Sequence, residues 1–133
     1  MSSHPAPNRQ TLRSALVCVA LVASVAALYA PVSGFGFTNY DDPGYVAENE
    51  LVRRGLSREG VAWAFSTFAL ANWHPLTWLS YMLDCSLFGP DAGALHSVSV
   101  AFHAANAVLL YLALQAMTAS VWPSALVAFL FAL

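Results

Sequence analysis

Lysine is absent, and charge of either sign is scarce. Only 9% of the 133 residues are charged, against about 25% in an ordinary soluble domain. With 59% hydrophobic residues beside so little charge, the composition points to a membrane protein. The five basic residues are all arginines and the formal net charge is −2, which gives no ground for a nucleic-acid partner. Two cysteines are present, Cys18 inside an apolar run and Cys85 in a loop, so no internal disulfide is expected and no metal-ligand spacing exists. No internal repeat occurs, and alanine enrichment in the apolar runs is the only compositional bias. After Asp91 there is no charged residue at all, whereas all seven acids fall between Asp41 and Asp91.

That uneven charge gives the chain its order. Residues 1–11 are polar, carry Pro5 and Pro7, and read as a disordered cytoplasmic tail. The next run, 12–33, has no charge beyond Arg13, and twenty helical residues reach ~30 Å, the thickness of a bilayer core. A cleaved signal peptide is the rival reading, with small residues at Ala27 and Ala30, but its apolar region is usually only about 7–15 residues. Arg9 and Arg13 on one flank place the N-terminus in the cytoplasm and the following loop outside. A second apolar run, 96–118, carries His96, Ser99, His103 and Asn106 on one helical face. Polar groups at that depth face a bundle interior, most often to hydrogen-bond another helix. A third run, 121–133, spans only ~20 Å and reads as a truncated helix. The expected fold is therefore all-α: two full transmembrane helices, a large external loop, and the start of a third span in a fragment of a longer protein.

The loop, 34–95, carries two helical patterns. Ser57 suits an N-cap, followed by Val61, Ala64, Phe65 and Phe68 at helical spacing. Pro75 suits a first helical position and Gly89 a C-terminal stop, with Leu76, Leu79, Leu83 and Leu87 on one face between them. Trp63, Phe65, Phe68, Trp73, Trp78, Tyr81 and Phe88 decorate both. Such density beside a span suggests helices lying in the headgroup layer; a small external core is the competing reading, and both can hold together.

Three groups carry chemistry. Asp41 and Asp42 precede Pro43-Gly44. Proline disfavours the α region before it, so Asp42 is expected to be extended and Pro43-Gly44 to form a type II turn. Neighbouring extended side chains diverge, which favours one general base over a paired device; a plain surface turn is the alternative. Trp73 and His74 stand where the chain enters a helix and can meet an anionic headgroup there, or simply pack. Arg53 and Arg54, with Arg58, form a basic cluster able to grip a lipid phosphate or to remain a solvated face.

Asn39-Tyr-Asp-Asp-Pro-Gly-Tyr45, Asn72-Trp-His-Pro-Leu-Thr-Trp-Leu-Ser80, Met82-Leu-Asp-Cys85 with Leu87-Phe-Gly89, and His103-Ala-Ala-Asn106 follow in that order. Together they resemble the N-terminal membrane portion of bacterial tetratricopeptide-repeat membrane proteins, which are similar to the transmembrane and tetratricopeptide-repeat O-mannosyltransferases of the GT-C superfamily. The resemblance covers residues 12–133. Where relatives carry a histidine pair near Gly93, this chain has Ala94-Leu95-His96. The resemblance implies a membrane enzyme that transfers a mannose-like sugar from a polyprenyl-phosphate donor to a protein hydroxyl. Asp41 would be its catalytic carboxylate, with Asp42 beside it; Arg53, Arg54, Trp73 and His74, read from their own positions, are the candidates to meet the lipid phosphate. Its partners would be the bilayer, the lipid-linked sugar and an acceptor protein. No cofactor is demanded, and an assisting divalent metal is left open. A fragment of this length is expected to be inactive alone. The alternative is a non-catalytic anchor that presents a repeat domain to other proteins. Alanine-rich spans and arginine without lysine suggest a bacterial source, hence an inner-membrane protein with a periplasmic loop.

Overall fold

The computed structural model describes residues 9–133, all of whose regular structure is helical. The α-helices are α1 (Arg9–Tyr29), α2 (Glu50–Arg53), α3 (Arg58–Ser66), α4 (Pro75–Phe88), α5 (Ala92–Thr118) and α6 (Val121–Ala132), with 3-10 turns at Ala30–Gly34 and Ala69–Ala71 and a π turn at Pro43–Ala47. Of the expected tail, residues 1–8 lie outside the described residues, and Arg9 to Thr11 form the first turn of α1. Contacts divide the chain into two units: residues up to Ala30 with Ser99–Leu133, and Pro31–Val98.

The first unit is built on apolar helices. Arg9–Gly34 and Ala92–Thr118, of 26 and 27 residues with mean hydropathy 2.3 and 1.7, are each long and apolar enough to cross a membrane. Helix α6 is apolar but shorter. Val17, Leu21 and Val25, one residue per turn of α1, pack with Ala107 and Tyr111 of α5 and Ala125, Ala128 and Ala132 of α6. The small alanines let the helix backbones close up, as membrane helices do in place of a hydrophobic driving force. Polar groups add two fixed points. Gln115 Nε2 donates to Ser14 Oγ at 2.6 Å, and the His103 ring nitrogen Nε2 meets the Ala132 carbonyl at 3.1 Å, one of the orphan acceptors of the last turn of α6.

The second unit has its own core of Val46, Val52, Ala64, Trp78, Met82, Cys85 and Leu95. Local signals set its helices. Ser57 Oγ accepts from the Gly60 amide at 3.0 Å and starts α3. Pro75 opens α4, and Gly89, at φ 75°, closes it with its amide on the Cys85 carbonyl at 2.9 Å. Helix α4 turns Trp78, Met82 and Cys85 inward; of the leucine stripe, Leu79 packs half-buried against that core, while Leu76, Leu83 and Leu87 are exposed.

Three local features depart from the sequence reading. Asp42 is helical, at φ −57° and ψ −35°, and Pro43–Ala47 is a π turn, closed by the Glu48 amide on the Pro43 carbonyl at 2.9 Å, in place of a type II turn. Two hydrogen bonds that the Asp42 carboxylate accepts from Thr38 offset the steric cost of α geometry before proline. Helix α2, capped by Asn49 Oδ1 on the Val52 amide at 3.3 Å, was not anticipated. Phe68 lies beyond α3, where Leu70 and Ala71 take left-handed φ of 55° and 60°. That strained turn is held by Thr67 Oγ1, which accepts from the Ala69 amide, and by Asn72 Nδ2, which donates to the Leu70 carbonyl.

Candidate active site in the loop unit

The two aspartates have different surroundings. Asp42 is half-buried, and its Oδ2 accepts from the Thr38 amide at 2.6 Å and from Thr38 Oγ1 at 3.1 Å. This bracket ties the loop before the π turn to the turn itself. Asp41 is exposed, its carbonyl accepts from the Tyr45 amide at 3.1 Å, and its carboxylate has no hydrogen bond or ion pair among the described residues. One acid fixes the backbone. The other is free.

The π turn aims Tyr45 inward, where it stacks on Trp78 with centroids 5.0 Å apart and planes at 23°. Around that pair stand His74 at 5.5 Å and Tyr81 at 6.0 Å from Tyr45, with Trp63 edge-on to Trp78 at 4.9 Å. His74 occupies the N-cap position of α4 but its side chain caps nothing; the ring turns inward, 5.1 Å from Trp78. Its Nε2 and the Trp78 Nε1 are buried without a hydrogen-bond partner. Buried polar atoms are rarely left so, and each needs a partner from outside the chain, water or ligand.

Acid groups bracket Tyr81. Burial, and then the charges of Asp42, Tyr45 and Asp84, push its hydroxyl above the ordinary phenol value. Asp84 is itself buried, and desolvation pushes its carboxyl up. The Cys85 thiol is raised by burial and by Asp84, with Arg53 opposing. Cys85 is therefore a poor target for labelling from solution.

The other residues singled out from the sequence are placed apart. Arg53 Nη1 donates to the Ala47 carbonyl at 3.0 Å, at the end of the π turn. Arg54 pairs loosely with Glu50 at 3.9 Å, both well exposed, an arrangement that contributes little to stability. Trp73 Nε1 donates to the Phe65 carbonyl at 3.0 Å, which seats its ring on the rim of an open groove of about 450 Å³ lined by Phe65, Trp73, His74, Pro75, Leu76 and Thr77. The fold thus gathers His74 and Tyr81 around Tyr45, and places Trp73 and His74 on one groove. Among the described residues no three His, Cys, Asp or Glu side chains gather. Tyr45, Tyr81 and Asp84 received no chemical role at the site in the sequence reading, although an acid within the otherwise uncharged α4 was a signal that something unusual lay there.

No protein-family model, curated protein or solved structure matches the chain.

Proposed function

We propose that this chain is membrane-embedded and serves glycosyl transfer from a polyprenyl-phosphate sugar to a protein hydroxyl, with the loop unit as its reactive surface. One combination carries the reading. A turn that pins Asp42 and frees Asp41 shares a unit with the unpartnered His74 ring nitrogen, and along the chain that unit joins two helices apolar enough to span a bilayer. Such a site can serve a donor whose tail stays in lipid and an acceptor that arrives from water. The resemblance of the Asn39–Tyr45 and Asn72–Ser80 segments to O-mannosyltransferases supports the same chemistry.

Asp41 is the general base. Its carboxylate takes the proton of a Ser or Thr hydroxyl as that oxygen bonds to the anomeric carbon from the face opposite the phosphate. The bond from carbon to the phosphate oxygen breaks, and the polyprenyl phosphate leaves with the electron pair. His74, as its Nε2–H tautomer, donates to a phosphate oxygen and so stabilises the leaving charge. The apolar edge formed by Phe65, Phe68, Leu70, Trp73 and Leu76, all exposed, rests in the headgroup layer. With Arg9 and Arg13 on the cytoplasmic side, the loop faces the periplasm of a bacterial inner membrane.

The test is sugar transfer in membranes that contain the protein as its gene encodes it. Asp41→Asn should lower transfer by about 100-fold or more, the scale of a lost general base, with the protein still inserted and folded. Transfer at the wild-type rate would reject Asp41 as base and favour the anchor reading.

A further inference from the structure

Helices α1 and α6 of the first unit leave a groove between them, and the contacts at their ends fix its orientation. Gln115, near the end of α5, donates to Ser14, near the start of α1. His103, farther back along α5, meets the Tyr29 ring at the far end of α1 and the Ala132 carbonyl at the far end of α6. Helix α6 therefore runs parallel to α1, and Arg13 and Trp122 share one end. The groove opens there, holds about 420 Å³, and extends to Ala20 and Phe129. Buried Val17 and Ala125 form its floor, and Leu16 and Leu126, 60% and 62% exposed, its walls. At about 1.5 Å per residue, the stretches 13–20 and 122–129 make it ~10 Å long. That is most of one leaflet, roughly half of a ~30 Å bilayer core.

Size and charge together say what fills it. A helix of the same length, about 10 Å across, occupies roughly 800 Å³, too much for this groove, whereas a hydrocarbon chain is thin enough to lie in it. Arg13 is the only charged residue of the lining, and it makes no ion pair or hydrogen bond among the described residues. Its unit, residues up to Ala30 with Ser99–Leu133, contains no Asp or Glu to neutralise it. An apolar helix seated here would leave that cation unmatched. A phosphate matches it, because the guanidinium presents parallel donors to two phosphate oxygens. Trp122, 67% exposed, lines the same end, at the level where indole rings settle among lipid headgroups.

We infer that the α1–α6 groove takes one acyl chain of an anionic phospholipid from the cytoplasmic leaflet, with the lipid phosphate held by Arg13. The inference rests on the membrane-embedded part of the function proposed above and not on glycosyl transfer.

The test uses the whole protein in detergent micelles, with native mass spectrometry to count the lipids it retains. The probes are palmitoyl-oleoyl phosphatidylglycerol and the phosphatidylcholine with the same chains, so only the headgroup differs. Phosphatidylglycerol should bind about five-fold more tightly, the scale of one arginine at an anionic lipid surface. Arg13→Gln should erase that preference, and Arg13→Lys, which keeps the charge, should retain most of it. Ala20→Phe, which fills the groove, should weaken the binding of both lipids. Ala20 is itself exposed, so the larger ring leaves the packed face of α1 undisturbed. Ala113→Phe, on an exposed part of α5, should weaken neither. Equal binding of the two lipids, a preference that survives Arg13→Gln, lipid binding indifferent to Ala20→Phe, or a protein dimer in place of lipid adducts would each overturn the inference. Carbonate extraction separates the two failures. Protein that stays in the membrane without preferring the anionic lipid refutes this inference alone, and protein released by carbonate refutes the membrane reading and the lipid site with it.

Discussion

The Asp84 residue is 7% exposed and its carboxyl has no hydrogen bond among the described residues, and desolvation holds its pKa above the ordinary carboxylate value. The folded state therefore keeps the proton to higher pH than the unfolded chain does. Between the two pKa values the native form binds more protons, so stability is greatest below the unfolded value and falls as pH rises through the folded one. Asp84→Asn removes the ionisation while keeping the shape. Thermal unfolding in detergent should show wild type and variant alike near pH 4 and the variant more stable at pH 7. Equal decline of both with rising pH would show that Asp84 is not the group responsible. The same scale explains why Asp41 and Asp42 are unequal. The expectation of a single acting acid rested on an extended Asp42, which is helical instead; what makes the two unequal is the Thr38 bracket on Asp42.

At the scale of elements, α3 and α4 form where their punctuation says, with Ser57, Pro75 and Gly89 each at its expected post. Helix α5 begins under a tighter constraint. A Cβ on Gly93 would collide with the Ser33 carbonyl, a backbone atom that cannot swing aside. Gly93→Ala should cost about 1–3 kcal/mol, as overpacking does, and lower the midpoint of thermal unfolding of the purified protein. A midpoint equal to wild type would mean that α5 starts farther from Ser33. The Phe68–Asn72 turn is different in kind: two non-glycine residues in left-handed geometry cost roughly 1–3 kcal/mol each, yet the result holds Phe68 71% exposed and places Leu70 against Gly44. Leu70 fills the space that a side chain at residue 44 would need, so glycine there is a matter of room. None of this was visible beforehand, because Phe68 continues the helical period of α3, and the turn depends on the Thr67 and Asn72 hydrogen bonds together with the seat of Leu70 beside Gly44.

For the molecule as a whole, the decisive question is what surrounds its apolar surfaces. Residues 60–83 hold no charged side chain, and from them Phe65, Phe68, Leu70, Trp73 and Leu76 are exposed, with Phe65, Trp73 and Leu76 at the edge of one groove. Spin labels at Phe68→Cys and Leu76→Cys, in liposomes, should be reached by oxygen and shielded from a water-soluble nickel complex, whereas a label at Glu48→Cys should show the reverse. Nickel access at residues 68 and 76 equal to that at 48 would place this edge in water and remove the interfacial reading. The apolar helices Arg9–Gly34 and Ala92–Thr118 were legible in composition alone, since a helix satisfies its own backbone and needs only some twenty apolar residues, roughly, to suit lipid. The Ser57 cap of α3 and the Gly89 stop of α4 were legible for the same reason: their partners lie within four residues. What composition could not decide were relations between distant residues. Tyr45 stacks on Trp78, His74 turns inward with a bare nitrogen, Asp84 is partly desolvated, and of two polar residues on α5 one finds a carbonyl and the other does not. Local periodicity fixes which face of a helix is apolar, but only packing determines which neighbour meets it, and the chemistry of this chain depends on those neighbours.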